Sequence, residues 1–247
     1  MTEAVAERVI PPPGRRDWIA ILSAILGAFM AILDIQIINS SLRDIQGALS
    51  ATIEEGSWIS TSYLVAEIII IPLAAWLTMV MSARRFAVVI SSCFVLASLL
   101  CSLAWSLESM VVFRVLQGLA GGALIPFAFM LVLTKLPQAD RPKGMAMFAI
   151  TATFAPSIGP TIGGWLTQNF GWEYIFYINI APGLVMIAGL LYGLEKSPPR
   201  WELLKQGDYL GILTMALGLG CLQVFLEEGH RKDWLESNLM LTLAVIA

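Results

Sequence analysis

Ala155-Pro156-Ser157-Ile158-Gly159-Pro160-Thr161-Ile162-Gly163-Gly164-Trp165-Leu166 carries two prolines and three glycines, yet it lies inside a long apolar segment. In water such a run argues against a helix. In a bilayer it does not, because neighbouring helices and local adjustments satisfy the backbone groups that proline frees. Ala155, Gly159 and Gly163 recur every four residues and form one small-residue stripe that lets another helix backbone approach closely. Pro156 and Pro160 are also four apart, so any bend they cause has a fixed direction. A membrane helix that is kinked and closely packed on one side suggests a moving bundle. A GxxxG spacing by itself is more often a packing face with no role in mechanism.

Composition sets the class. The chain is 57% hydrophobic and 13% charged, against roughly 25% charged in a soluble domain. Apolar runs long enough to cross a ~30 Å hydrocarbon core recur along its length. The fold class is therefore an all-α polytopic membrane protein. Cys93, Cys101 and Cys221 all fall in apolar segments and read as small buried hydrophobes, with no disulfide or metal framework.

Residues 1–17 read as a tail before the first span, with Pro11-Pro12-Pro13 and Arg15-Arg16 marking a short disordered stretch. The following apolar run exceeds a signal-peptide core and contains Asp34, so a cleaved signal is not expected. Spans are placed at about Trp18–Asn39, Ser57–Met79, Phe86–Trp105, Ser109–Leu133, Gly144–Leu166, Trp172–Leu194 and Tyr209–Leu226. Residues 18–194 then form a six-helix bundle, 195–208 a cytoplasmic linker, and 209–247 a seventh span with the start of an eighth near Ser237. An eighth span that stops at Ala247 is too short to cross, so the chain reads as the N-terminal part of a longer protein.

Lys and Arg fall unevenly about these spans. Eleven of them (Arg8, Arg15, Arg16, Arg84, Arg85, Lys135, Arg141, Lys143, Lys196, Arg200 and Lys205) lie on one side, and Arg43, Arg231 and Lys232 on the other. That asymmetry places the N-terminus in the cytoplasm. The opposite loops carry acids, including Asp44, Glu54, Glu55, Glu108, Glu173, Glu227, Glu228, Asp233 and Glu236. Aromatic residues such as Trp18, Trp58, Trp105, Trp172, Tyr209 and Trp234 fall near span ends, where interfacial anchors belong.

Asp34, Glu67 and Arg114 remain inside spans, and burying such groups is costly enough to make each a functional candidate. Asp34 and Arg114 each lie about five residues from the outer end of their spans, or roughly 8 Å deep at ~1.5 Å per residue. A direct pair, or two charges facing one water-filled cavity, fits that depth. Glu67 falls near the midplane. Its plainer alternative is a protonated acid hydrogen-bonded to a neighbouring helix. In the fourth span Arg114, Gly118 and Gly122 share a face, with Gln117 and Gly121 beside them, which suggests a helix bordering a cavity while a neighbour slides past.

Arg114-x-x-Gln117-Gly118 resembles the fourth-span signature of major facilitator superfamily transporters. Gly159-Pro160-x-x-Gly163-Gly164 resembles the fifth-span signature of their drug:proton antiporter branch. Leu33-Asp34 with Asn39 is similar to the first-span pattern of the fourteen-span, EmrB/QacA-type members. The stretches Trp172–Asn179 and Glu227–Trp234 also resemble EmrB-type relatives. The family's loop between spans two and three usually reads Gly-x-x-x-Asp-x-x-Gly-Arg-Lys. Here the Gly is Ala75, the Asp is Met79 and the second Gly is Ser82, followed by Arg84-Arg85. The acidic contact at the cytoplasmic gate thus has no carboxylate, and no gating role is assigned to Met79.

The resemblance implies a proton-driven exporter with the major facilitator fold. Asp34 and Arg114 would couple protons, and Gly159, Pro160, Gly163 and Gly164 would form the hinge of the antiporter helix. Glu67, Gln117 and Asn39 are candidates for the substrate cavity. The implied substrate is an amphipathic, lipophilic small molecule, with multidrug efflux from a bacterial inner membrane as the leading function. A dedicated exporter of one metabolite, siderophore or fatty acid is the alternative. A periplasmic adaptor protein is implied only by the EmrB-type likeness. A membrane sensor or assembly partner would not need an Asp, a Glu and an Arg buried in three helices. No catalytic dyad, metal spacing or phosphate-cradling loop appears, and the only histidine, His230, reads as a solvated loop residue. The expectation is a transporter and not an enzyme, with no cofactor and no nucleic-acid partner.

Overall fold

A computed structural model describes residues 12–234 and 237–247 of the chain. Most of the tail, with Arg8 and Pro11, and Glu236 of the acidic loop lie outside the described residues. In chain order the helices are α1 (Arg15–Ala48), α2 (Ile53–Gly56), α3 (Trp58–Met81), α4 (Ala83–Ser102), α5 (Leu107–Lys135), α6 (Arg141–Phe170), α7 (Tyr174–Tyr177), α8 (Ile180–Gly193), α9 (Glu202–Lys205), α10 (Tyr209–Glu228) and α11 (Asn238–Ile246). Seven helical segments among the described residues are long and apolar enough to cross a membrane, α2–α3 and α7–α8 each counting as one. The chain is an integral, multi-pass membrane protein.

Local chemistry sets several boundaries. Ser106 caps α5 by accepting from the Ser109 amide at 3.2 Å, and the Asp208 carboxylate caps α10 by accepting from the Gly211 amide at 2.9 Å. Thr52 and Glu55 cap α2 reciprocally: the Thr52 hydroxyl accepts from the Glu55 amide at 3.2 Å, and the Glu55 carboxylate accepts from the Thr52 amide at 3.0 Å. Pro72, Pro126, Pro156 and Pro160 all sit inside continuous helices, as the bilayer permits.

Three boundaries depart from the hydropathy pattern. The first span, which apolarity ends at Asn39, continues as helix to Ala48, and it begins at Arg15, inside the residues assigned to the tail. Nothing between Ser40 and Gln46 breaks a helix, so α1 runs on past the apolar stretch, with Ile45 and Gln46 buried. Asp34 is therefore much further from the end of its helix than five residues. The sixth span is not one helix but two, because Pro182 has no amide to continue the ladder and the chain restarts at Asn179. Glu228, placed by its charge in a solvated loop, is 2% exposed at the end of α10 and accepts from the Thr61 hydroxyl of α3 at 3.2 Å. His230 is exposed, as expected.

The bundle is built on α1, which packs against α5, α6 and α8, while α3 packs on α5, α4 on α5 and α8, and α10 on α3. Between helices in lipid the attraction comes from close packing, because lipid tails are as apolar as leucine. Small residues supply it. Buried Ala155, Gly159 and Gly163 of α6 face α1. A Cβ added at Gly163 would stand 2.8 Å from the Ile37 carbonyl oxygen of α1. The bare face of α5 meets α3 rather than a cavity: a Cβ at Gly122 would lie 2.7 Å from both Cα and carbonyl oxygen of Glu67.

Ser82, at the turn between α3 and α4, takes φ +73° and ψ 148°, a conformation that L side chains rarely adopt. Its hydroxyl is buried without a partner among the described residues. The strain explains why a glycine suits this turn.

Three outcomes follow for thermal unfolding in detergent. Gly122→Ala should cost about 1–3 kcal/mol, because backbone cannot yield as a flexible side chain can. Gly164→Ala, whose Cβ would meet nothing within 4 Å, should cost nothing measurable. Ser82→Gly should raise stability by about 1 kcal/mol by releasing the strained φ. An equal loss at Gly122 and Gly164, or a lower midpoint for Ser82→Gly, would contradict this packing.

Candidate functional site

The inner ends of two apolar clusters meet in a polar belt. One cluster includes Met30, Phe94 and Ala120, and the other Leu33, Cys101 and Phe176. Between them lie Asp34 of α1, Ser98 of α4, and Arg114 and Gln117 of α5, each at most 1% exposed. Asn179, 2% exposed, joins them from the break between α7 and α8. Arg114 and Gln117 are three apart on α5 and so share a face.

Arg114 Nη1 donates to Asp34 Oδ2 at 2.6 Å and to Gln117 Oε1 at 2.6 Å. Its Nε donates to the Ile59 carbonyl of α3 at 3.0 Å. The guanidinium carbon stands 4.1 Å from the centre of the Tyr63 ring, within the range of a cation–π contact. Asp34 Oδ1 accepts from Gln117 Nε2 at 2.9 Å and from Asn179 Nδ2 at 2.8 Å. Gln117 Nε2 also donates to Ser98 Oγ at 2.9 Å. One carboxylate thus receives three donors, and one guanidinium is answered by a carboxylate, two oxygens and a ring.

Such an arrangement is what a buried charge requires. Each ion would cost several kcal/mol to bring out of water, and only a well-placed counter-ion with further hydrogen bonds offsets that. The chemistry this permits is narrow. Protonating Asp34 would remove the charge that Arg114 answers while leaving the guanidinium buried.

The structure brings Asp34, Arg114 and Gln117 into one cluster and leaves the other sequence candidates outside it. Gln117, expected at a cavity wall, is sealed within the network at 0% exposure, because its amide bonds on both sides. Asn39 is exposed and instead accepts from the Ser60 hydroxyl at 3.0 Å, since five helical residues turn it away from the Asp34 face. Glu67 is 8% exposed on α3, with its backbone against Gly122. On α6, Gly159 and Gly163 face α1, while Pro160 is exposed and Gly164 has open space beyond it.

Sequence reading passed over Tyr63, Ser98 and Asn179 as participants. A signal existed for Asn179, a carboxamide inside an apolar run and three residues before Pro182. Ser98 and Tyr63 carry no such mark, since single hydroxyls are common in membrane helices. The Tyr63 hydroxyl itself is buried without a partner among the described residues.

Seven apolar spans with an ion pair buried among them define a polytopic helical membrane bundle. The chain belongs to the Major Facilitator Superfamily, whose family model matches residues 24–247. It is 42% identical over 90% of its length to the colistin resistance protein EmrB of Acinetobacter baumannii, and covers 44% of that protein. It is 37% identical over 98% of its length to the multidrug export protein EmrB of Haemophilus influenzae, covering 47% of it. It is also 36% identical over 93% of its length to the fatty acid resistance protein FarB of Neisseria gonorrhoeae, covering 45% of it. The chain thus spans about half the length of these curated relatives. Its fold matches that of the Escherichia coli xylose transporter XylE in a partially occluded inward-open conformation, with TM-score 0.63 at 17% identity over 93% of this chain and 58% of XylE.

Breaking the pair from one side should be worse than breaking it from both. Asp34→Asn is expected to destabilise the folded protein by about 3–5 kcal/mol through the uncompensated Arg114 charge. Asp34→Asn with Arg114→Gln should recover a large part of that loss in a double-mutant cycle of thermal midpoints. Additive losses would mean that the two charges are not coupled.

Proposed function

We propose that this chain forms the proton-coupling bundle of a secondary exporter that moves amphipathic, lipophilic compounds outward as protons enter. The observation that carries the reading is the buried Asp34–Arg114 contact at 2.6 Å, tied to four packing partners through Gln117, Asn179, Ser98 and Ile59.

Asp34 would be the proton carrier and Arg114 the group that reports its charge. With Asp34 ionised, α1, α4, α5 and the α7–α8 break are bonded together. A proton on Asp34 neutralises the carboxylate and leaves the Arg114 charge uncompensated, a penalty of several kcal/mol that favours rearrangement of these helices. α6 would then rock on α1 along Ala155, Gly159 and Gly163, with Pro160 and Gly164 on its free side giving room to bend. Because α1 carries both Asp34 and the contact with α6, one helix relates proton binding to the hinge.

Glu67, near the midplane of α3, is assigned to the substrate cavity, where a carboxylate would favour cationic compounds. Asn39 is assigned to its rim, and Gln117 contributes through the network rather than at the wall. The excess of Lys and Arg on one side supports a cytoplasmic N-terminus, and the bacterial relatives support an inner-membrane location. α10 and α11 are read as the extra helix pair of a fourteen-span member, with 18–194 as the bundle and 195–208 as its linker. An adaptor on the periplasmic side is part of the same reading.

The names of the relatives support a lipophilic substrate: colistin resistance, multidrug export and fatty acid resistance. FarB also favours a second reading, an exporter dedicated to one amphipathic acid. The two readings separate in inverted vesicles carrying the full-length protein. An imposed pH gradient is expected to drive uptake of a lipophilic cation dye, with uptake falling to background in Asp34→Asn. Fatty acid transport without dye transport would favour the narrow exporter. Undiminished proton-driven uptake in Asp34→Asn would remove Asp34 from the proton path.

A further inference from the structure

The membrane-facing surface between α4 and α5 holds a groove of about 310 Å³, lined by Val89, Cys93, Leu96 and Leu100 of α4 and Leu116 and Leu119 of α5. Its surface is almost wholly apolar. From Val89 to Leu100 the groove follows α4 for about 16 Å at ~1.5 Å per residue. That is close to half of a ~30 Å hydrocarbon core, the depth of one leaflet.

Val89 also lines a second cavity of about 550 Å³, whose other walls include Arg84, Arg85, Lys196 and Trp201. The Arg200 amide donates to the Val80 carbonyl at 2.7 Å and fixes the connection after α8 across the α3–α4 turn. None of Arg84, Arg85 and Lys196 is in an ion pair among the described residues. Arg84 and Arg85 moreover stand in the first turn of α4, beside the positive end of its dipole. Of the acids in the adjoining cavity, Asp17 pairs with Lys135 and Glu195 with none of these cations, so no ion pair among the described residues neutralises the mouth of the acyl-sized groove.

We infer that these two cavities form one binding site for a single anionic phospholipid, with its phosphate among Arg84, Arg85 and Lys196 and an acyl chain along α4 from Val89 to Leu100. Trp201 would sit at headgroup level, as interfacial aromatics do. Basic pockets at the ends of membrane helices suit anionic headgroups, and each cation near the surface strengthens such binding. The site lies on the face of α4 turned away from Ser98 and the Asp34 network, so it is separate from the proton path.

The test uses the full-length protein purified in mild detergent. Retained lipid is counted by native mass spectrometry after addition of phosphatidylglycerol or phosphatidylcholine of matched chains. One phosphatidylglycerol should be retained in preference to phosphatidylcholine. Arg84→Gln with Arg85→Gln and Lys196→Gln should weaken that retention roughly 100-fold, from a few-fold per cation. Cys93→Trp, which fills the groove and leaves the charges intact, should weaken it as well. In unsubstituted protein, alkylation of exposed Cys93 by an apolar maleimide should slow when phosphatidylglycerol is added. Equal retention of the two lipids, or displacement of phosphatidylglycerol by inorganic phosphate, would overturn the assignment. So would a Cys93→Trp protein that holds the lipid as tightly as before.

Discussion

The structure depends on one constraint: a carboxylate and a guanidinium placed where neither can reach water. Asp34 and Arg114 are each 1% exposed. Neither could be retained at that depth alone, because an isolated ion in so apolar a place is unfavourable by many kcal/mol. The surrounding sequence is arranged to meet this demand. Gln117 reaches both members of the pair, Asn179 arrives from a break in the sixth span, and the Ile59 carbonyl takes the remaining Nε proton. Donors from α5 and from the α7–α8 break converge on the one carboxylate of α1.

The second constraint is closeness. A network with bonds of 2.6–2.9 Å across helices needs backbones that stay in register. In lipid that register comes from small residues rather than from exclusion of water. Gly118 and Gly122 bring α5 against α3 one and two turns along from Arg114, and Gly159 and Gly163 bring α6 against α1 one turn from Asp34. Electrostatics and packing thus fall on the same helices.

Much of this was legible in the residues. Seven spans, the cost of Asp34, Glu67 and Arg114, and the small-residue stripe of α6 all follow from hydropathy, charge and spacing. The motifs around Arg114 and Gly159 carried the family. What escaped has physical reasons. Apolarity marks where a helix meets lipid, not where it ends, so α1 outran its hydrophobic stretch by nine residues, from Asn39 to Ala48. Ser98 and Tyr63 look ordinary until the fold sets them beside Gln117 and Arg114. Gln117 was read as a cavity residue because its helix face looked bare, yet that face is filled by α3. Glu228 was read as solvated from its charge, while the fold buries it on Thr61.

The central claim is that Asp34 changes its protonation state as substrate and proton exchange. Infrared difference spectroscopy on the full-length protein, recorded with and without a transported compound, reads this directly. A carboxylic acid band that changes on substrate addition, and is lost in Asp34→Asn, is the expected result. A band that changes equally in Asp34→Asn would place the transported proton on another group and contradict the account.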